Sequence, residues 1–168
     1  LGHSHVLPPE LRNDAGCREV LLRLLHKAAA RLRSLELWTT ELHVGVSGFE
    51  RSWGAHAKLP PTQDTPSLME AFARLWSGRD YARPRTVSVT FTGLASGAEV
   101  TPSLFDATVE RAALSRTIDA LNQRFGKNTI WLAAMARGKD TATEKIAFHK
   151  TDLFQEGKGD NIWRGLAG

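Results

Sequence analysis

The sequence predicts an α+β fold. The expected core is a split β-α-β arrangement, an antiparallel four-stranded sheet with two helices on one face. A C-terminal extension adds a helix, short strands and an irregular tail. Three observations lead there. Segments of period two and period 3.6 follow one another as β-α-β-β-α-β within roughly the first 95 residues. The helical segments carry narrow apolar stripes that need burial, and the strands are apolar at alternate positions only. Prolines and glycines fall where one period gives way to the next.

His3-Ser4-His5-Val6-Leu7 reads as a short strand, closed by Pro8 and Pro9, which lack the amide hydrogen that a sheet needs. The first helix is expected from Asp14 to Leu35. Leu21, Leu24, Leu25, Ala28, Leu32 and Leu35 recur at three- and four-residue steps, and Asn13 or Asp14 can cap its start. Arg18, Arg23, Lys27, Arg31 and Arg33 lie mostly off that stripe and read as a solvated face, or else as a flank for a polyanion.

Trp38 to Phe49 follows as a strand, with Leu42, Val44 and Val46 alternating with Glu41, His43, Gly45 and Ser47. A turn over Gly48 to Ser52 leads to a hairpin partner, where Trp53, Ala55, Ala57 and Leu59 alternate with Gly54, His56 and Lys58. Pro60 and Pro61 are expected to end it. Thr65 then caps a second helix with Pro66 in its first turn; Leu68, Met69, Phe72, Leu75 and Trp76 form its apolar face. Arg85 to Thr92 is the clearest strand, with Val87, Val89 and Phe91 against Thr86, Ser88, Thr90 and Thr92.

These residues set a domain at 1–95 and an extension at 96–168. In the extension, Gly93 to Pro102 reads as a connector. A third helix is expected from Asp106 to Arg124, with a stripe of Leu114, Ile118, Leu121 and Phe125 and a stop at Gly126. Short strands are expected at Asn128 to Ala133 and Lys145 to Phe148. The rest is polar or glycine-rich.

Both predicted helices cover one sheet face, so the other is open. It is expected to show His3, His5, His43, Ser47, His56, Lys58, Thr86, Ser88 and Thr90, with Glu41 as its one carboxylate. A wide polar face with so little acid suits phosphates.

Composition narrows the function classes. The chain has 168 residues, 42% apolar and 24% charged, which is ordinary for a globular protein and unlike a disordered tail. No run approaches the roughly 20 apolar residues needed to span a bilayer, so no membrane partner is expected. The single cysteine, Cys17, can form neither an internal disulfide nor a multi-cysteine zinc site, and this usage suits the cytoplasm. The net charge is +4. Residues 1–95 carry 12 basic and 9 acidic side chains, a net of +3, so most of the excess sits in the predicted sheet domain. The chain opens at Leu1 without a methionine, which reads as a piece of a longer protein.

Catalytic signatures are missing. The sequence has no Gly-rich loop ending in Gly-Lys-Ser/Thr, no strand followed by Gly-x-Gly-x-x-Gly, and no Gly-x-Ser-x-Gly elbow. The strands offer only Glu41 toward a two-metal carboxylate site. Asp152, Glu156 and Asp160 are evenly spaced but sit among glycines. His3, His5, His43 and His56 could in principle hold zinc or copper, yet no cysteine or carboxylate set accompanies them. Cys17 and His26 stand nine residues apart on one helix, about 13 Å along its axis, too far for a dyad. Trp38, Trp53, Trp76 and Trp131 read as core; Trp163 is the one expected to dock or stay exposed.

Two segments carry a resemblance. Leu1-Gly2-His3-Ser4-His5-Val6-Leu7-Pro8-Pro9-Glu10 resembles the stretch that enters the little-finger domain of Y-family translesion DNA polymerases. Ala120-Leu121-Asn122-Gln123-Arg124-Phe125-Gly126-Lys127-Asn128-Thr129 is similar to the tail that follows it in bacterial UmuC-like members of the ImpB/MucB/SamB type. The β-α-β-β-α-β order is also that domain's order.

The resemblance implies a DNA-gripping module, not an enzyme in itself. The polymerase centre and its magnesium belong to a palm domain upstream of Leu1. The primer–template would lie on the open sheet face, held through Gly2, His3, Ser4 and His5 on the first strand. The sheet adds His43, Ser47, His56, Lys58, Thr86, Ser88 and Thr90. Many members have more lysine and arginine on these strands; histidine gains positive charge only below about pH 6.5. The alternative reading is an interaction module in which the extension docks a sliding clamp or a recombinase filament. A lesser alternative is metal binding by the histidine-rich face.

Overall fold

The computed structural model describes residues 1–100, 106–126 and 129–130. β1 spans Gly2–Val6, α1 Asp14–Ser34, β2 Leu37–Arg51, β3 Trp53–Thr62, α2 Thr65–Ser77, β4 Ala82–Ser96 and α3 Asp106–Phe125. The sheet order is β1-β4-β2-β3, and every neighbouring pair is antiparallel. β4 and β2 are therefore central, and β1 and β3 are edges.

The covered face forms the core. Leu42, Val44 and Val46 of β2 and Val87, Val89 and Phe91 of β4 are buried beneath α1 and α2. From α1 come Val20, Leu21, Leu24, Leu25, Ala28 and Leu32; from α2 come Leu68, Ala71, Phe72 and Trp76. The Phe72 and Trp76 rings stack at 5.6 Å, and Trp53 meets Trp76 edge-on at 5.9 Å. Burying a side chain such as Phe72 contributes about 1.5–3 kcal/mol. Cys17 is a wholly buried core residue.

Asn13 caps α1: its side-chain oxygen accepts the Gly16 N–H at 2.9 Å. Asp64, and not Thr65, caps α2, accepting from the Ser67 N–H at 2.8 Å. Thr65 is drawn inward instead, where its Oγ1 accepts from Arg33 at 3.1 Å.

Several boundaries differ from expectation. Pro60 and Pro61 do not end the hairpin; β3 runs on to Thr62. β3 is an edge strand, so a proline can face outward without breaking a ladder bond. β4 likewise continues past Thr92 to Ser96, with Gly93 at φ +58. Arg23 and Arg33 are buried, not solvated, while Arg18, Lys27 and Arg31 stay exposed.

α3 packs on α2 and α1, on the side away from the sheet. It does so through polar side chains. Asp119 takes both Nε and Nη2 of Arg33, at 2.5 and 2.8 Å. Ser115 Oγ accepts the Thr65 N–H at 3.1 Å, and Arg111 reaches Glu70 at 2.9 Å. Of the expected apolar stripe, Leu114 and Phe125 are exposed, whereas Ile118 and Leu121 are half-buried. The predicted strands from Asn128 and Lys145, Trp131 and Trp163 fall outside the described residues or at their border.

Candidate nucleic-acid interface

Among the described residues nothing packs on the second face of the sheet. Strand register lines it up in rows. One row is Gly2, Thr90, His43 and His56; the next is Ser4, Ser88, Gly45 and Gly54. Toward one end follow Val6, Thr86 and Ser47, and toward the other Thr92, Glu41 and Lys58. Gly45 and Gly54 leave the middle bare. A depression of about 270 Å³ opens there, bounded by His43, Val44, Ala55, His56, Ser88 and Thr90. Backbone and short hydroxyls are thus the surface that a ligand would meet.

Gly2, Ser4, His43, Ser47, His56, Lys58, Thr86, Ser88 and Thr90 all stand on this face. His3 and His5 do not, which corrects the expectation. They pair with Val89 and Val87, whose side chains are in the core, and residues paired across a ladder point to the same side. His3 sits on the side of α1, near Lys27 and Arg31. Burial, helped by those two cations, pushes its pKa down to about 4, so it is neutral. Its Nε2 is buried and has no hydrogen-bond partner among the described residues. A neutral ring on the covered side can neither attract nor touch a phosphate on the open one.

Glu41, the one carboxylate in these rows among the described residues, is tied up locally. Thr92 Oγ1 donates to Glu41 Oε2 at 2.7 Å, and His43 Nε2 lies 3.2 Å from the same oxygen. His56 Nε2 is 3.9 Å from Oε1. The two imidazoles stack, with centroids 5.3 Å apart and planes 23° from parallel. The Thr92 hydrogen bond and then His43 hold the Glu41 carboxyl below its ordinary range. Glu41 is therefore ionised but partly compensated. Thr92, Gly45 and Gly54 belong to the site although they were not among its expected residues. The same alternation that placed Ser88 and His43 also places them.

No group of three or more His, Cys, Asp or Glu among the described residues is placed to hold a metal ion. The metal alternative therefore lacks a three-ligand site there. No described helix is long and apolar enough to cross a membrane. His26 and Cys17 are held in their neutral forms by burial, on the covered side.

The chain is similar to known proteins. It is 27% identical over 157 residues to DNA polymerase IV 2 of Bacillus subtilis (strain 168), covering 88% of this chain and 37% of that protein. The chain therefore spans little more than a third of that relative's length. One solved structure, a complex of the beta-clamp processivity factor and the little finger domain of PolIV, aligns at a TM-score of 0.45 and 18% identity. That alignment covers 61% of this chain and 96% of the other. Residues 112–143, which begin inside α3, match a domain of unknown function, DUF4113. Residues 1–104, which hold the whole sheet and both helices beneath it, match the impB/mucB/samB family C-terminal domain. With most of its length and its complete sheet under that match, the chain belongs to the impB/mucB/samB C-terminal family.

Proposed function

We propose that this chain grips DNA through its open sheet face, without reading base sequence, as one part of a translesion DNA polymerase. The observation that carries the reading is the pair of central rows, Gly2–Thr90–His43–His56 and Ser4–Ser88–Gly45–Gly54. Short side chains bring hydroxyls and backbone close to whatever lies on the sheet. Such groups bond phosphate and sugar oxygens, which fix position and carry no sequence information. A grip of that kind tolerates a damaged base, because the base edge is not touched. Family membership and the polymerase relative support the reading. Polymerisation itself is assigned to catalytic domains outside this chain.

The test is binding of a labelled primer–template by the 168-residue chain. Affinity is expected to fall steeply with salt. Ser88→Glu and Lys58→Glu each place negative charge on the face and are expected to weaken binding by about tenfold, while thermal stability stays near the parent value. Salt-independent binding, or full affinity in both variants, would sink the reading.

A further inference from the structure

The ionisable groups of the open-face rows gather toward one end. Glu41 of β2 lies opposite Lys58 of β3, and His43 lies opposite His56 two positions along the ladder. The two rings stack at 5.3 Å, and each has its Nε2 near the Glu41 carboxylate, at 3.2 Å from Oε2 for His43 and 3.9 Å from Oε1 for His56. Thr92 sets the direction of these bonds. Its hydroxyl gives its one hydrogen to Glu41 Oε2, so it can only accept from His43 Nε2, 2.9 Å away. That network assigns the His43 hydrogen to Nε2, and a further proton goes to Nδ1.

Both rings meet solvent, with side chains 41% and 60% exposed, and both border the central depression beside Ser88 and Thr90. A ligand seated among those hydroxyls lies against the imidazoles. Few charged groups bear on them among the described residues. β2 brings Glu41 and β3 brings Lys58. β4 brings only the hydroxyls of Ser88, Thr90 and Thr92. β1 brings Gly2, next to the Leu1 amino group that donates to the Phe91 carbonyl at 2.9 Å. α1 and α2 pack on the opposite face. With both rings neutral, Glu41 and Lys58 balance each other. Two imidazolium rings at 5.3 Å repel one another, and Glu41 sets one negative charge against their two. A phosphate in the depression supplies the missing anion.

We propose that the His43–His56 pair makes DNA binding proton-linked: Glu41 is the resident counter-ion of the pair in the free chain, and a bound phosphate takes over that part while the rings take up protons. This rests on the nucleic-acid reading of the open face and adds a regulation to it. The grip tightens as pH falls from about 8 to about 6, the range in which imidazole changes charge. The coupling is reciprocal, so bound DNA favours the protonated rings.

The test uses the full 168-residue chain and a short duplex with a pH-insensitive fluorophore. Anisotropy is read at about pH 6 and about pH 8, with EDTA present so that no metal ion occupies the imidazoles. Melting temperatures at both pH values show that each variant is folded. The parent is expected to bind about tenfold more tightly at the lower pH. Its slope of log K against log salt is expected to be steeper there by about 1 to 2, one phosphate for each added cation. In His43→Gln combined with His56→Gln, the affinity ratio between the two pH values should fall to about twofold or less and the slope change should vanish. Glu41→Gln removes the competing anion and is expected to strengthen binding at about pH 8 by about threefold. A parent ratio near one, or an equal ratio in the double variant, with Ser88→Glu and Lys58→Glu still weakening binding, would overturn the proton link and leave the open-face reading intact. Binding that Glu41→Gln does not strengthen would overturn the part given to Glu41. No binding at either pH, or full affinity in Ser88→Glu and Lys58→Glu with no effect of pH, would remove both readings.

Discussion

α1 and α2 sit on the sheet through leucine, valine and aromatic side chains, whereas α3 sits on α1 and α2 through Arg111, Ser115 and Asp119. The two attachments differ in kind. The first removes apolar surface from water in bulk, so its strength is spread over many contacts and depends little on any polar partner. The second is concentrated in a few directed bonds around Arg33, which is 8% exposed. Its guanidinium meets Asp119, the Gln63 carbonyl at 2.8 Å and Thr65 Oγ1 at 3.1 Å. A buried cation of this sort holds a neighbour in place more than it adds net stability. The sheet and its two helices should behave as the folding unit, and α3 as an element latched onto it.

Phe72→Ala tests the first attachment and should have the largest effect. Phe72 is 1% exposed and stacked on Trp76. Its truncation is expected to cost about 3–5 kcal/mol in urea unfolding, as a single cooperative loss of sheet and helices. Asp119→Ala tests the second. It strands Arg33, but water still reaches the Asp119 side, so the expected cost is about 2–3 kcal/mol. The readout is local: amide exchange should rise across 106–126 before it rises in β2 or β4. If the two variants unfold the same residues together, α3 is part of the folding unit and the contrast fails.

The covered face also carries a pH dependence. His3 titrates at about 4 in the folded chain and near 6.5 when unfolded. Between these values the unfolded chain binds the extra proton, so stability is complete above about pH 6.5 and is lost as pH falls toward 4. The loss attributable to His3 is about 2 kcal/mol, after allowance for the water that still reaches the ring. His3→Leu should flatten the difference between melting temperatures at about pH 7 and about pH 4.5. An equal drop in the variant would show that the ring is not held neutral.

His3 also shows how far the strands could be read directly. Where apolar and polar residues alternate cleanly, as in Leu42–Val46 or Val87–Phe91, the open face follows from parity, and His43, His56, Ser88 and Thr90 fall on it. In β1 two polar residues alternate with Ser4 and Val6, and a five-residue edge strand has no internal vote. The deciding neighbour is Leu7, wholly buried. It shares its parity with His3 and His5, whereas Val6 is 57% exposed. The edge position of β3 likewise explains Pro60 and Pro61, since topology and not proline content decides whether a strand can contain them. The gathering of Arg12, Arg83 and Arg85 around the Phe49 ring was not legible at all: these residues come from the loop after β1, the end of β2 and the start of β4, and no period connects those positions.

α3 gives the reverse lesson, and the smallest effect. Its stripe marks a helix correctly but only part of the face that it buries: Ile118 and Leu121 are half-buried, and Leu114 and Phe125 are exposed. Positions 111, 115 and 119 advance by about 40° each and line up beside that stripe, and they face partners already present on α1 and α2. Leu114 is 52% exposed. Leu114→Ser is therefore expected to change stability by no more than about 0.5 kcal/mol. Leu32→Ala, on the buried stripe of α1, should cost about 2–5 kcal/mol. The same pair of measurements made by urea unfolding separates two causes of an apolar stripe. If Leu114→Ser costs as much as Leu32→Ala, the stripe of α3 is covered in the folded chain, and the polar latch is only one side of its attachment.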